Sequence, residues 1–594
     1  MYTTASVFFK TLANAGITHA FVNWGSDHAA LLEELQRQRA EDGKTLIDIV
    51  TCPSEYVALS AAHGYAQITG KPAVVIIHGD VGTQTMAGAV HNADKGQMPV
   101  LIFAGSAPCT ANGELRGSKD EYGMWFQDVP DQPAIVRQYM RYVAQIQSGK
   151  NASNVIMRAL QIATSQPKGP VYLWARREVI EEDVDEATVT AAATLSKWPS
   201  VTPGALTSRA VDTITSALVH AEFPLILTAN AGRNPSATQL LAELSSALAI
   251  GVLACASSSV PIAGDHPYLL GYHFWGKQPH LDKADVVLVL DIDVPWVDAD
   301  GCEPRAGAKV FVIDNDPLKR TFGWSHVDAD LLCTADTETA LGQLIEAVRA
   351  VDAETYGEKV QARRRSLGAI KATRQAQLSH AENLLAPDGV LPTVPMLLAA
   401  LRSAVAAQTF SGGQKILYLT EAASVSGLVW NHLAPAPGSM FMSGGTSLGW
   451  VLGASIGMSI GAKVAQKGCD LVVSLTGDGN FLFGAPTATF WVAKKYNTPF
   501  LMIVVNNHGW FSPKFSMRAV HPTGHGSVAS GEKLSVGFGQ DGNVDYAGVA
   551  AAAGGAWACQ VARADQLRDV FEEAVRVVTR DRRCAVVDCL VESI

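Results

Sequence analysis

The run Leu471-Val-Val-Ser-Leu-Thr-Gly477-Asp478-Gly479-Asn480, read together with Phe500-Leu-Met-Ile-Val-Val-Asn506-Asn507-His508-Gly509, decides the fold. Each is an apolar stretch of the kind a parallel strand covered on both faces requires, and each ends in a polar turn containing glycine. Two such turns at the carboxyl ends of neighbouring strands lie where open α/β sheets bind ligands. The residue types suit a metal diphosphate. Asp478 offers a carboxylate, Asn507 an amide oxygen and Gly509 a backbone carbonyl, the hard oxygens that Mg²⁺ takes. Gly477 and Gly479 let the backbone approach the phosphates, so that N–H groups, with Asn480 beside them, can meet phosphate oxygens. Gly-Asp-Gly alone is a common turn; the Asn-Asn turn after a second strand gives it meaning. A dinucleotide fingerprint fits less well, because the third glycine of G-x-G-x-x-G falls at Leu482.

The same alternation of apolar runs and amphipathic segments extends outward in both directions. The third block has strand-like runs at 415–419, 470–475, 500–505 and 585–591. The first has them at 46–50, 73–77 and 100–104, with a helical pattern over 56–69 closed by Gly70-Lys71-Pro72. The second has them at 224–228, 284–291 and 309–313. This predicts an α/β protein of three Rossmann-like parallel-sheet domains, at 1–182, 204–350 and 385–594. The polar stretch 181–203 reads as a linker, and the charged stretch 350–382 as a surface helix and connector. The first and third blocks share a rhythm, as if one plan were used twice.

Bulk properties narrow the classes. At roughly 100–200 residues per domain, 594 residues make three or four. The net charge is −10 and no basic stripe is clustered, which argues against nucleic acid and anionic membranes as partners. No apolar run reaches the roughly 18 residues of a membrane span. The nine cysteines are scattered, with no C-x-x-C, which predicts reduced thiols and a cytoplasmic location. The N-terminus reads as an amphipathic helix and not as a signal peptide.

The paired turns at Gly477-Asp478-Gly479-Asn480 and Asn506-Asn507-His508-Gly509 resemble the cofactor signature of the pyruvate decarboxylase, acetolactate synthase and benzoylformate decarboxylase superfamily, whose cofactor is thiamine diphosphate with Mg²⁺. The interval between them is longer than the family pattern, with the excess around 481–487. The segments Glu55…Gly64-Tyr65-Ala66…Thr69-Gly70-Lys71-Pro72 and Gly79-Asp80-Val81-Gly82-Thr83 resemble the family's pyrimidine-domain segment. The resemblance covers nearly the whole chain. It implies pyrimidine-binding, central and diphosphate-binding domains, and a homodimer or homotetramer with the cofactor between two chains.

The resemblance also implies site residues. Asp478, Asn507 and the Gly509 carbonyl hold Mg²⁺, and Ser424 donates to the diphosphate. Leu448 is the wedge under the bent cofactor, and Thr446 supplies a backbone carbonyl where the family usually has glycine. Glu55 is the carboxylate against the aminopyrimidine; on its own it would read as a glutamate favoured by a helix N-terminus. Ser26 falls at the family's polar residue in the first strand-to-helix turn and could orient a substrate carboxylate. His78 has the spacing of an active-site histidine of benzoylformate decarboxylase and could relay protons. His28 competes with both, and Asp27 reads as the cap of the next helix. Gln127, in Phe126-Gln127-Asp128, resembles a glutamine beside the cofactor in acetolactate synthases and 2-hydroxyacyl-CoA lyases.

The expected activity is making or breaking a carbon–carbon bond beside a carbonyl: decarboxylation of a 2-oxo acid, or carboligation from an aldehyde or acyloin, acetolactate synthase-like. Ser26 and His78 lean toward an aryl 2-oxo acid decarboxylase or aldehyde lyase. A silent assembly or regulatory subunit of the same fold would be expected to lose Glu55 or Asp478, and both are present. A nucleotide-binding oxidoreductase is disfavoured by Leu482. The segment 287–296 lacks the Gly-x-Arg pattern that accompanies FAD, which argues against bound FAD. The loop 508–531 is expected to cover the substrate, with Trp510 and Phe511 either lining the pocket or packing the loop down.

Overall fold

A computed structural model describes residues 1–319, 322–408, 415–539 and 544–594. Its frame is three six-stranded sheets, parallel throughout. The first contains β1 (His19–Val22), β2 (Asp48–Thr51), β3 (Ala73–Ile77), β4 (Val100–Ser106), β5 (Tyr142–Gln145) and β6 (Val171–Arg176). The second contains β7 (Pro224–Thr228), β8 (Gly251–Cys255), β9 (Leu269–His273), β10 (Val286–Leu290), β11 (Lys309–Asp314) and β12 (Leu331–Thr334). The third contains β13 (Ile416–Glu421), β14 (Met440–Phe441), β15 (Leu471–Gly477), β16 (Leu501–Asn506), β17 (Trp557–Val561) and β18 (Ala585–Leu590).

The strand orders are β2-β1-β3-β4-β6-β5, β9-β8-β7-β10-β11-β12 and β14-β13-β15-β16-β18-β17. The first and third are therefore the same plan, as their shared rhythm suggests, while the second has the order of a dinucleotide-binding sheet. Central strands such as β3 and β16 are buried at every residue, which is why they read as unbroken apolar runs.

In each sheet the chain crosses from one side of its first strand to the other, leaving a switch point between β1 and β3, between β7 and β10, and between β13 and β15. The loops leaving those strands splay apart and open a crevice. Helix α1 (Ala29–Asp42) follows β1, α2 (Glu55–Thr69) follows β2 and α3 (Gly79–Thr85) follows β3. Helix α2 ends at Gly70, whose φ of +70° is the left-handed conformation that closes a helix.

A long helix α4 (Gly357–Ala381) lies over the second domain, as the charged stretch there predicts. In the third domain α5 (Trp450–Val464) precedes β15, α6 (Asp478–Phe483) follows it, and α7 (Phe511–Val520) follows β16. The first and third domains meet along α2 and α5, which cross at glycine contacts. A Cβ on Gly457 would lie 1.8 Å from the Ala61 carbonyl oxygen, and one on Gly64 2.5 Å from that of Ala454. Only hydrogen at these positions lets the backbones approach so closely.

Two expectations change. The stretch read as a linker is partly ordered against the first domain: Asp183–Val184 pairs antiparallel with Tyr2–Thr3, and Asn14 donates to the Ala192 carbonyl at 3.1 Å. The stretch 508–531 is not an open loop, because α7 forms within it. Among the described residues no helix is long and apolar enough to cross a membrane.

Candidate functional site

At the third sheet's crevice Asp478 opens α6 and is 2% exposed. Its Oδ1 accepts the Gly479 N–H at 2.8 Å, and its Oδ2 accepts the Gly509 N–H at 2.8 Å, tying together the two turns that decided the fold. Burial pushes its pKa up to about 6 against these backbone donors. A buried carboxylate left with a raised pKa is one that a cation would relieve.

The Asn-Asn pair divides. Asn506 turns into the sheet and donates to Asp588 at 3.0 Å, while Asn507 faces the cavity. Gly509 has φ +152°, and a Cβ there would lie 2.3 Å from the Val536 carbonyl oxygen, so the position demands glycine.

The cavity holds about 1160 Å³, and its walls include Ser424, Leu448, Gly477, Asp478, Asn480 and Asn507. That is ample for a cofactor-sized ligand. A Cβ on Gly477 would meet nothing within 4 Å, whereas one on Gly479 would enter the Trp510 ring at 2.2 Å. Trp510 thus serves both readings: it lines the cavity, and it packs the covering segment onto Gly479 and edge-on against Phe538 at 5.0 Å. Phe511 also lines the cavity, stacked on Phe515 at 5.9 Å. Lys514 and Arg518 reach the same cavity from α7.

Asn480 donates to the Glu421 carbonyl and holds α6 against the end of β13. Two expected residues stand outside this lining. Gly479 lies behind Trp510, and the Thr446 N–H donates to His91 Nε2 at 3.1 Å, on the first domain. The donors present fit a divalent metal and a diphosphate: one buried carboxylate, an amide oxygen, a hydroxyl and open space over glycine.

The first sheet's crevice is different in kind. Glu55 opens α2, is buried, and its Oε1 accepts Asn23 Nδ2 at 2.9 Å. A Cβ on Gly82 would lie 3.0 Å from that same oxygen. His78 follows β3, with Nδ1 2.6 Å from Asp27 Oδ1 and Nε2 2.9 Å from Gln127 Nε2. The structure therefore brings His78 and Gln127 together, and adds Asp27.

Asp27 is not a helix cap. Its other oxygen accepts the Gly79 N–H at 3.0 Å, and its side chain is buried between two strand ends. Burial pushes its pKa up, but His28 and His78 outweigh burial and hold it below its ordinary value. The hydrogen bond to Asp27 raises the pKa of His78. Burial lowers that of His28, which is enclosed, with Nδ1 accepting the Gly25 N–H at 3.0 Å. His28 thus holds the turn and leaves the open position to His78.

Ser26 departs from its expected part. Its hydroxyl donates to Glu121, so a carboxylate of the chain itself stands where a substrate carboxylate was expected. None of Glu55, Ser26, His78 and Gln127 lines the cavity around Asp478. Asn23 and Glu121 escape sequence reasoning, and Asp27 reads as a cap, because their partners come from distant segments. Lys514 and Arg518 carry a signal in their i,i+4 spacing, which puts both on one face of α7.

Residues 2–135 match the family described as thiamine pyrophosphate enzyme, N-terminal TPP binding domain, and residues 422–589 match its C-terminal TPP binding domain. The chain is 23% identical over 580 residues to an acetolactate synthase of Bacillus subtilis, covering 96% of this chain and 90% of that protein. It is 22% identical over 526 residues to a benzoylformate decarboxylase of Pseudomonas aeruginosa, covering 85% and 86%. The crystal structure of benzoylformate decarboxylase from Polynucleobacter necessarius superposes with a TM-score of 0.75 at 17% identity, covering 100% of this chain and 99% of that one.

Proposed function

Because the chain belongs to the thiamine diphosphate-dependent enzyme superfamily of decarboxylases and acetolactate synthases, we propose that it cleaves or forms a carbon–carbon bond beside a carbonyl, as a 2-oxo acid decarboxylase, an acyloin carboligase or both. The observation that carries this is the pairing of two crevices. One is built to hold a metal diphosphate around Asp478 and Asn507, and the other is built to handle protons around Glu55 and His78. In this reading 1–182 is the pyrimidine-binding domain, 204–350 the central domain and 385–594 the diphosphate-binding domain.

Asp478, Asn507 and the Gly509 carbonyl would hold Mg²⁺, with the Ser424 hydroxyl donating to the diphosphate and Leu448 beneath the cofactor's bend. Thiamine diphosphate, when bound, supplies a carbon nucleophile and an electron sink. Glu55 holds and returns a proton at its carboxylate against the pyrimidine. His78 moves a proton at Nε2, with Gln127 holding the ring at that atom. Trp510 and Phe511 exclude water, and Lys514 and Arg518 favour an anionic substrate.

Since no residue of the first domain lines the Asp478 cavity, a second copy of the chain would supply Glu55 to it, in a homodimer or homotetramer. Tyr122 and Phe126, 88% and 83% exposed beside Gln127, are large rings suited to burial in that contact. The aromatic lining at Trp510, Phe511 and Phe515 favours a second reading, an aryl 2-oxo acid decarboxylase or aldehyde lyase.

The test is aldehyde and CO₂ release from a panel of 2-oxo acids, with and without thiamine diphosphate and Mg²⁺, comparing wild type with Glu55→Gln. Cofactor-dependent turnover that collapses in the variant supports the proposal, and the preferred substrate separates the two readings. No turnover with any 2-oxo acid, aldehyde or acyloin would replace it with a non-catalytic subunit.

A further inference from the structure

We propose that Asp27 is a positioning residue that holds His78 as its Nδ1–H tautomer, leaving Nε2 as the atom that exchanges protons with substrate. The proposal rests on the thiamine diphosphate reading above only for the identity of that substrate; the pairing itself stands on geometry.

Three observations carry it. First, both Asp27 oxygens are committed: Oδ1 lies 2.6 Å from His78 Nδ1, and Oδ2 accepts the Gly79 N–H at 3.0 Å. A carboxylate can only accept here, so His78 Nδ1 must carry the hydrogen. Second, Gln127 Nε2 lies 2.9 Å from His78 Nε2 and donates to it, which requires Nε2 to be bare. The Gln127 contact is met by the same tautomer that the Asp27 carboxylate dictates. Third, the pair sits in a slot cleared by two glycines. A Cβ on Gly25 would fall 1.9 Å from His78 Nδ1, and one on Gly105 would fall 2.0 Å from Asp27 Oδ2. Any side chain at either position would displace the dyad.

The arrangement has a consequence for proton transfer. When Nε2 takes a proton, the ring becomes a cation hydrogen-bonded to a buried carboxylate, and Asp27 stabilises it. The Gln127 amide must then turn so that its oxygen accepts from Nε2–H. Asp27 thus sets both the resting tautomer and the ease of charging it, while Gln127 follows the proton. Other titratable groups face the pair: His28 from the turn before α1, Glu55 from α2, Asp80 from α3, Tyr172 from β6 and Arg177 just after it. His28 is enclosed and already bonded at Nδ1, so its own charge change is suppressed by burial.

The experiment uses the full chain with thiamine diphosphate and Mg²⁺, labelled with ¹⁵N-histidine, the His78 resonances being assigned from His78→Gln. In wild type, Nδ1 should appear protonated and Nε2 bare at high pH, with Nε2 titrating. Asp27→Asn presents an N–H to Nδ1 and should reverse the tautomer. It should lower kcat about 10²-fold or more with cofactor affinity unchanged, and shift the acid limb of the kcat profile to lower pH. In the His78→Gln background, Asp27→Asn should cost almost nothing further, as expected of a residue acting through another.

A wild-type ring with bare Nδ1, a tautomer indifferent to Asp27→Asn, or fully additive losses in the double variant would each overturn the proposal. The wild-type spectrum alone decides it if Asp27→Asn fails to fold. The tautomer is read without turnover, so an inactive but correctly tautomeric wild type would count against the catalytic reading and not against the dyad.

Discussion

The first and third domains share one strand order, yet their crevices are opposites. Around β1 and β3 side chains pair with one another: Glu55 with Asn23, Asp27 with His78, His78 with Gln127, and Ser26 with Glu121. Around β13 and β15 the side chains bond to backbone instead. Asp478 is buried with only backbone donors, and the space over Gly477 is open. Groups that move protons need fixed partners before substrate arrives, whereas groups that hold a ligand need room and an unmet charge. The fold provides two equivalent crevices, and in the proposed function the side chains at their mouths divide the labour.

The largest expected effect breaks the first crevice alone. Glu55→Gln keeps the shape and the Asn23 contact but cannot hold or return a proton. Turnover should fall by 10² to 10⁴-fold or more, while thiamine diphosphate and Mg²⁺ still raise the melting temperature. Loss of both together would mean that the two crevices are not separable.

The second breaks the other crevice. Asp478→Ala should abolish the Mg²⁺-dependent stabilisation, which for a ligand at 100 times its Kd is about 2.7 kcal/mol. A pH dependence sharpens it. Burial holds Asp478 protonated up to about pH 6, and Mg²⁺ needs the ionised form. Metal affinity measured by calorimetry should therefore weaken as pH falls through 6, approaching tenfold per unit below it. An affinity flat from pH 5 to 8 would remove Asp478 from the metal site.

The two crevices were also unequally legible. The third was readable because its candidate ligands are local: a strand and a glycine turn with an acidic residue, then a strand and an Asn-Asn turn one strand on. Asp478, Asn507 and Gly509 meet in space because parallel neighbours place their carboxyl ends side by side. Glu55 was readable from its segment. The rest of the first crevice depends on chain segments far apart in sequence.

Asp27, after Gly-Ser and before a helix, has the local pattern of a cap; only a histidine 51 residues away turns it inward. Ser26 meets Glu121 from 95 residues away. Strand β1, His-Ala-Phe-Val, gives no run long enough to stand out, whereas β2 lies in the longer apolar stretch 46–50. The apolar run of β6, Val171–Arg176, carries a strand signal before the polar stretch 181–203. Thr446 and Gly479 were assigned by position in a motif, and packing against His91 and Trp510 sets where they stand.

A smaller effect concerns the joint between the two domains. Gly457→Ala would press a methyl group onto the Ala61 carbonyl, where α2 and α5 cross. Overpacking of this kind costs about 1–3 kcal/mol. Because the crossing carries Glu55 at one helix start and the Leu448 turn at the other, cofactor-dependent activity should fall along with thermal stability. A variant as stable as wild type would show that the helices can part without cost.

The smallest effect tests whether the third crevice also contains a group held for structure alone. Glu421 ends β13, buried behind the cavity, with Oε2 accepting the Val451 N–H at 3.0 Å at the start of α5. Burial pushes its pKa up to about 8 from an ordinary 4.5. The folded chain therefore keeps a proton that the unfolded chain has already released over this range. That contribution to stability is complete below pH 4.5 and is lost as pH rises through 8. Glu421→Gln, which keeps an oxygen for Val451 and cannot ionise, should flatten the fall in melting temperature between pH 5 and 8. Activity at neutral pH should be nearly unchanged, in contrast to Glu55→Gln. If activity instead collapses as it does there, Glu421 belongs with the proton-handling groups, and the division of labour between the two crevices fails.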